Sequence, residues 1–328
     1  MLTANQSFIL GYTNETDGIY KKGEVIVFDD FTCDMKYVNF PFKVKSSAIK
    51  LLTTRDSMPV YFGYNLLRHI NYKPMGHARH WISVLQSYMT SIPSLSEQQK
   101  ISIFLKLVDQ RIDFQAKYID ALKKYKRGLL HEVLCEKIKI TKSPWNVCKI
   151  GDYLSSKNIK QLPTPEAPLM AFTATGGVCD KGERYDRGFL VKDASTKLYK
   201  RTDLNDFIYS SNNLDVGSIG LNLYGSAVIS DVYEIFSISG ADPWFISEAI
   251  RQKPVLHQIL KYRQGCLYGQ YRIYAEDFLE VSIRVPSLET QKQIGIIFSR
   301  IDYRIKSEQA LLKSLENAQK FFLQQLFI

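Results

Sequence analysis

The stretch IPSLSEQQKISIFLKLVDQRI, from Ile92 to Ile112, returns as VPSLETQKQIGIIFSRIDYRI, from Val285 to Ile305, at a constant offset of 193 residues. The register holds without a gap to Ile328, which aligns with Cys135. Identical pairs are spread along it, among them Pro93 with Pro286, Gln98 with Gln291, Asp109 with Asp302, Arg111 with Arg304, Leu122 with Leu315 and Leu130 with Leu323. A fixed long period means two copies of one structural unit, and any fold for this chain has to place both.

Each copy reads as a single long helix. Ser94 and Glu97 have the spacing of a capping box, in which the hydroxyl accepts from the first turn and the carboxylate reaches back. The second copy has Thr290 in place of that Glu, leaving Glu289 to favour the positive end of the helix dipole. Beyond the cap, Ile101, Leu105, Val108, Ile112, Gln115, Ile119, Leu122, Lys126, Leu129 and Val133 step by four and three. The second copy repeats the steps with Ile294, Phe298, Ile301, Ile305, Glu308, Leu312, Leu315, Gln319, Phe322 and Leu326. A seam with this 3.5-residue period needs a partner helix, and the copy with matched polar steps is the obvious one. Ile112, Ile119, Leu122 and Leu129 with Ile305, Leu312, Leu315 and Phe322 are therefore the candidates for helix pairing and subunit docking. About 40 helical residues make a rod roughly 60 Å long, the dimension of a spacer. Gly128, about 1 kcal/mol worse than Ala in a helix interior, marks where the first rod is expected to bend or fray.

Between and before the helices the sequence changes character. Runs such as DFIYSS, GSAVIS and VYEIFSI, punctuated by Gly and Asn, predict a mixed α/β module, with ADPWFISEAIRQ as a short helix capped by Asp242. IYKKGEVIVF parallels LYKRTDLNDFIY, SSAIKLL parallels SDVYEIF, and VYFGYNLLRHI parallels WFISEAIRQKP. The fold class is thus α+β, with two mixed α/β modules separated by two long antiparallel coiled-coil helices. The expected boundaries are 1–91 for a partial first module, 92–135 for the first helix, 136–144 for a linker, 145–284 for the second module and 285–328 for the second helix. Counterparts of Trp145 and Ile150 would fall before Met1, so the first module is expected to be shortened by roughly 35 to 50 residues.

With 328 residues, 45% hydrophobic and 23% charged, the chain can bury more than one core. Forty-three Lys and Arg against 33 Asp and Glu give a net charge of +10, which points to a polyanionic partner. The five cysteines have no CxxC spacing, so neither a disulfide framework nor a zinc site is implied. No apolar run of membrane-spanning length and no signal peptide is evident, and a cytoplasmic location with no membrane partner is expected.

Catalytic machinery is not evident. There is no GxxxxGK[ST] loop, no FxGxG loop for a methyl donor and no ExK nuclease core; DPWF lacks the second proline of an amino-methyltransferase motif and reads as a helix cap. No catalytic residue and no metal ligand is assigned, since His77 and His80 have no Cys or carboxylate partner at metal spacing. What remains is binding chemistry. KYRQGCLYGQYRIY and NYKPMGHARHWI are matching loops that interleave basic residues and amides with aromatics and glycine. Arg can pair with guanine and Gln with adenine, Lys holds phosphates, and glycine permits close backbone approach. The candidate DNA-binding residues are Arg263, Gln264, Tyr268, Gly269, Gln270, Tyr271 and Arg272, with Asn212 and Asn213 from a neighbouring turn, and Lys73, His77, Arg79 and His80 in the first module.

This organisation resembles the specificity subunit of type I restriction-modification systems. The duplicated Pro-Ser-Leu and Gln opening with Asp-x-Arg-Ile behind it (DQRI, DYRI), the W..CKIGDYL start of a module and the G..YGQYRI loop near its end carry the resemblance. It implies a non-catalytic subunit whose two target recognition domains each read half of a split double-stranded DNA sequence. The paired helices would set the gap and dock modification (methyltransferase) subunits, which bind S-adenosylmethionine; this chain would hold no cofactor of its own. Restriction (translocase/nuclease) subunits would complete the assembly. The specificity chain of a type II system, or a coiled-coil scaffold that never touches DNA, are the alternatives.

Overall fold

The computed structural model describes residues 1–4, 7–76, 78–141, 144–174, 177–180, 196–212, 214, 218–267 and 270–327. The chain forms two compact units: unit 1 comprises Met1–Ala121 with Lys306–Ile328, and unit 2 comprises Leu122–Ile305. The two copies of the repeat are the two longest helices, α3 (Leu95–Leu134, 40 residues) and α7 (Leu288–Gln325, 38 residues), and each contributes a segment to both units. α3 runs through Gly128 as one helix.

The helix starts explain why the repeat opens as it does. The capping box is made: Ser94 N–H donates to Glu97 Oε2 at 3.0 Å and Glu97 N–H donates to Ser94 Oγ at 3.4 Å. In the second copy the Ser287 and Thr290 hydroxyls meet at 3.0 Å instead. Gln98 and Gln291 have one job in common. Each Nε2 donates to the carbonyl of the proline five residues back, Pro93 or Pro286, at 2.9 Å, holding the entering chain against the first turn.

Unit 1 begins with an antiparallel sheet of β1 (Val25–Asp29), β2 (Met35–Val38) and β3 (Ile49–Leu52), in the order β2-β1-β3. Every residue of β1 is buried, because both faces are covered. Val25 and Val27 pack with Leu2, Ala4, Phe42 and Ile49 on one side, while Phe28 packs with Leu85 and Trp81 on the other. α1 (Val60–Ile70) sets Tyr61 against Leu105 and Leu323, and a short α2 (His80–Ser83) follows. The segments of α3 and α7 in this unit run antiparallel. Gln115 Nε2 donates to the Glu308 carbonyl at 3.2 Å and to its carboxylate, and Gln319 donates to Asp109. Gln115 and Glu308 are counterparts in the repeat, so each copy meets the other at the same step.

Unit 2 contains β4 (Asn146–Lys149), β5 (Leu154–Ser156), β6 (Lys160–Gln161), β7 (Ala171–Thr173), β8 (Gly177–Cys179), β9 (Tyr199–Thr202), β10 (Phe207–Ser210), β11 (Ile219–Leu221), β12 (Ala227–Ile229) and β13 (Tyr233–Ile238). α4 (Pro243–Ile250), α5 (Lys253–Leu260), β14 (Gln264–Leu267), β15 (Gln270–Arg272), α6 (Ala275–Leu279) and β16 (Ser282–Val285) complete it. The main sheet has the order β11-β10-β13-β5; smaller groups are β12-β9-β6, β16-β4, β14-β15 and β7-β8. Phe207, Tyr209, Phe236, Phe245 and Phe278 fill the core with Ile150, Leu154, Ile294 and Phe298. Asp242 caps α4 as its position ahead of Pro243 predicts, accepting from Phe245 N–H at 2.9 Å. β10, β11 and β13 have the connectivity of β1, β2 and β3, and α4 follows as α1 does, so the parallels between the modules extend from sequence to topology.

Candidate nucleic-acid interface

In unit 2 the candidate residues converge on one ribbon. β14 and β15 pair antiparallel with Gln264 opposite Arg272, and Asn212 joins Arg272 through an antiparallel bridge. The ribbon is tied to the core: Ile273 N–H donates to Ser211 O at 3.0 Å, and the buried Tyr209 hydroxyl donates to Ile273 O at 3.1 Å. Burial pushes the Tyr209 phenol well above its ordinary pKa, so it stays a neutral donor. Arg272 is exposed, stacks over Tyr274 at 4.9 Å and lies 3.3 Å from Glu234. Glu234 also accepts from Lys200 at 2.9 Å, so Arg272 is oriented by a shared carboxylate yet keeps its exposed fork. Arg263 stacks over Tyr271 at 5.7 Å, and Gln264 donates to Asp277 at 2.6 Å. Asn213, Tyr268 and Gly269 lie outside the described residues, as does the side chain of Gln270.

Unit 1 presents less. Lys73 and Arg79 are exposed, and Arg79 stacks over Phe31 at 6.0 Å much as Arg272 does over Tyr274. His80 is not groove-facing as its loop suggests. It is 2% exposed, its N–H donates to Asp30 O at 2.9 Å, and its Nδ1 meets the Tyr72 hydroxyl at 3.2 Å. The reason is positional: its counterpart in the repeat is Ile273, also 2% exposed, so His80 occupies a core site and no base edge can reach it. His77 lies outside the described residues.

Residues 185–317 match the family described as type I restriction modification DNA specificity domain. That span, under half of the chain, is similar to this family. A curated relative, the type I restriction enzyme EcoR124I/EcoR124II specificity subunit of Escherichia coli, is 44% identical over 107 residues. That alignment takes in 30% of this chain and 26% of the relative, so the chain spans about a quarter of the curated relative it matches. Among solved structures, the type I restriction-modification system S subunit from M. genitalium superposes with a TM-score of 0.62 at 16% identity, covering 98% of this chain and 87% of that one. A structure from a study of complex assembly and conformational transition of the type I R-M system gives 0.50 at 13% identity, covering 94% and 82%. At such identities these structures show a shared fold.

The matched span takes in the ribbon with Asn212, Arg263, Gln264, Tyr271 and Arg272, and α7 as far as Asn317. On the helices, Ile119 and Ile305 are buried, and Ile112, Leu122, Leu129, Leu312, Leu315 and Phe322 are partly buried; none of the eight is exposed. Sequence reasoning missed the opposite face. Ile103, Leu107 and Phe114 on α3 are 62%, 59% and 61% exposed, and on α7 Ile296, Ile297 and Tyr303 are 51%, 40% and 61% exposed. On α3 they are spaced by four and seven, off the seam positions, and that was the available signal. No helix among the described residues is long and apolar enough to cross a membrane, and no described group of three or more His, Cys, Asp or Glu could hold a metal ion.

Proposed function

We propose that the chain is a non-catalytic DNA sequence-specificity subunit of a type I restriction-modification complex. The observation that carries this is the match to the specificity domain over residues 185–317, which spans both the Arg272 ribbon and most of α7. The net charge of +10 fits a DNA partner. On this reading the ribbon of unit 2 reads one half of a split target in double-stranded DNA: Arg272 and Gln264 supply base-edge contacts, Asn212 adds an amide and Arg263 holds a phosphate, while in unit 1 Lys73 holds a phosphate of the other half. Arg79 serves the second half-site from unit 1.

The exposed apolar stripes on α3 and α7 are the docking faces for modification subunits, while the seam residues hold the helices together. Contiguous apolar surface that stays exposed on a helix favours a protein partner. The methyl donor, S-adenosylmethionine, is bound by those subunits, and restriction subunits add the nuclease. The test is co-purification with a modification subunit, followed by methylation mapping. Ile103→Asp with Phe114→Asp is expected to reduce that association at least tenfold while leaving the folded helix content unchanged. Salt-dependent DNA binding is expected in the assembly, with each neutralised phosphate adding about 0.9 to the slope of log affinity against log salt. A flat salt response with normal assembly speaks for a protein scaffold instead.

A further inference from the structure

Arg272 and Arg79 stand at the same point of the two modules, and the main chain shows it. The residue after each donates its N–H just past a central strand, Ile273 to Ser211 O at 3.0 Å and His80 to Asp30 O at 2.9 Å. Two residues before those acceptors, Tyr209 pairs with Glu234 and Phe28 pairs with Lys50. The backbone place that Glu234 holds in unit 2 is therefore held by Lys50 in unit 1. Lys200 of LYKR has Lys21 of IYKK as its counterpart, so a Lys, Glu, Arg set in one module is a Lys, Lys, Arg set in the other.

In unit 2 the carboxylate faces both cations. Glu234 Oε2 accepts from Lys200 Nζ at 2.9 Å and Oε1 accepts from Arg272 Nη2 at 3.3 Å. Lys200 is buried and also donates to Tyr233 O at 2.8 Å, which keeps it below the surface and out of reach of a phosphate. Arg272 stays exposed, with its plane set by the Tyr274 ring. Unit 1 differs at each point. Lys50 Nζ lies 3.8 Å from the buried Asp30, whose other oxygen accepts from Trp81 N–H at 2.9 Å. Lys21 is exposed. Among the described residues no carboxylate lies within ion-pair distance of Arg79, whose neighbour is the Phe31 ring.

A carboxylate beside an exposed guanidinium cancels most of its pull on distant phosphates. It also holds one nitrogen in place and leaves the other N–H groups for paired acceptors, such as guanine N7 and O6. A cation with no carboxylate beside it attracts backbone phosphate whatever the sequence. We propose that Glu234 is a positioning residue that makes Arg272 a base reader, while Lys50 in the same place leaves Arg79 a phosphate clamp. The two modules then read their half-sites with unequal stringency, strict at Arg272 and tolerant at Arg79. By withholding Arg272 from backbone of the wrong sequence, Glu234 sets the ratio of specific to non-specific binding. The inference rests on the DNA reading above.

The test is a salt titration of the full chain assembled with a modification subunit, on a duplex carrying the methylated motif and on one with that motif scrambled. Glu234→Gln is expected to steepen the salt slope on the scrambled duplex by about 0.9 and to cut the preference for the motif about tenfold. In an Arg272→Ala background the same substitution is expected to change neither, because Glu234 acts through that guanidinium. Glu234→Asp, which keeps the charge, is expected to retain most of the preference. Arg79→Ala should weaken both duplexes by one factor and lower the slope by about 0.9, whereas Arg272→Ala should cost the motif duplex about tenfold more than the scrambled one. The proposal is overturned by an unchanged slope and preference in a folded Glu234→Gln assembly, or by the same change appearing without Arg272. Should Glu234→Gln not fold, like effects of Arg79→Ala and Arg272→Ala on the two duplexes overturn it. A wild-type assembly with no salt dependence overturns the DNA reading itself, and this inference with it.

Discussion

In unit 2 Asp242 N–H donates to Gln291 Oε1 at 3.0 Å, and an ideal Cβ on Gly295 would stand 2.1 Å from Asp242 Oδ1. In unit 1 the residue at the same helix cap is Pro59, which has neither N–H nor carboxylate, and the counterpart of Gly295 is Ser102. The exchange has a cost. Gln98 Oε1 and Ser102 Oγ are both buried without a hydrogen-bond partner, whereas the equivalent sites in unit 2 are filled by Asp242. The two copies differ in linked sets: the copy without the Asp has Ser in place of Gly, and its Gln keeps only the bond to the preceding proline.

A second site repeats the lesson with charge. Asp302 accepts from Lys126 at 2.8 Å, and Lys126 also donates to Glu248 at 2.6 Å. Burial raises the Asp302 carboxyl above the usual carboxylate range, and Lys126 works against that rise. In unit 1 the counterpart Asp109 is held by Gln319, the counterpart of Lys126, together with Tyr61 and Arg68. One unit thus holds its helix pair through a partly buried ammonium between two carboxylates, the other largely through neutral donors and one Arg.

Substitutions at equivalent positions separate these designs. Lys126→Met strands Asp302 and leaves the 8% exposed Glu248 with Arg251 alone, at 3.4 Å, and is expected to destabilise unit 2 by about 3 kcal/mol in urea unfolding. Gln319→Met removes a neutral donor and is expected to cost about 1 kcal/mol; equal losses would mean that the two sites are not different in kind. Between these two in size is Gly295→Ala, which drives a methyl group into the Asp242 cap and is expected to cost about 2 kcal/mol. Ser102→Ala removes an unpaired buried hydroxyl and is expected to be within about 0.5 kcal/mol of neutral or stabilising. A pH-dependent effect concerns Asp203 in unit 2. Burial opposes its ionisation, but hydrogen bonds from Arg201, Lys157 and Ser226 dominate and hold the carboxyl well below its ordinary value. A lowered folded pKa contributes stability above the unfolded value near 4 that is lost as pH falls through the folded value. Asp203→Asn is therefore expected to lower the melting temperature by about 2 °C at pH 7, with the gap narrowing progressively as pH falls from about 4 toward the folded value. A gap that stays constant as pH falls below about 4 would mean the side chain acts through shape, not charge.

The helix pair was legible because a seam written twice at one offset carries both its period and its partner. The role of Gln98 and Gln291 was not, since their acceptors are backbone carbonyls of the entering chain. Strand pairing in the modules was only partly readable: β5, β11 and β12 are three residues long, too short to show a period, and order in a sheet comes from partners far along the chain. Within the candidate interface, Arg272 stood out by residue type, but its ion pair with Glu234 spans 38 residues and no local pattern announces it. His80 misled because a histidine in a basic, aromatic loop looks solvent-facing; its alignment with Ile273 was the available warning.

The most direct test of the account is methylation mapping of genomic DNA from cells that express the chain with a modification subunit, comparing wild type with Arg272→Ala. The account predicts a two-part methylated motif for the wild type. In the variant, specificity should be relaxed or lost in one half only, with assembly intact. An unchanged motif from an intact Arg272→Ala assembly would contradict the assignment of the unit 2 ribbon to sequence recognition.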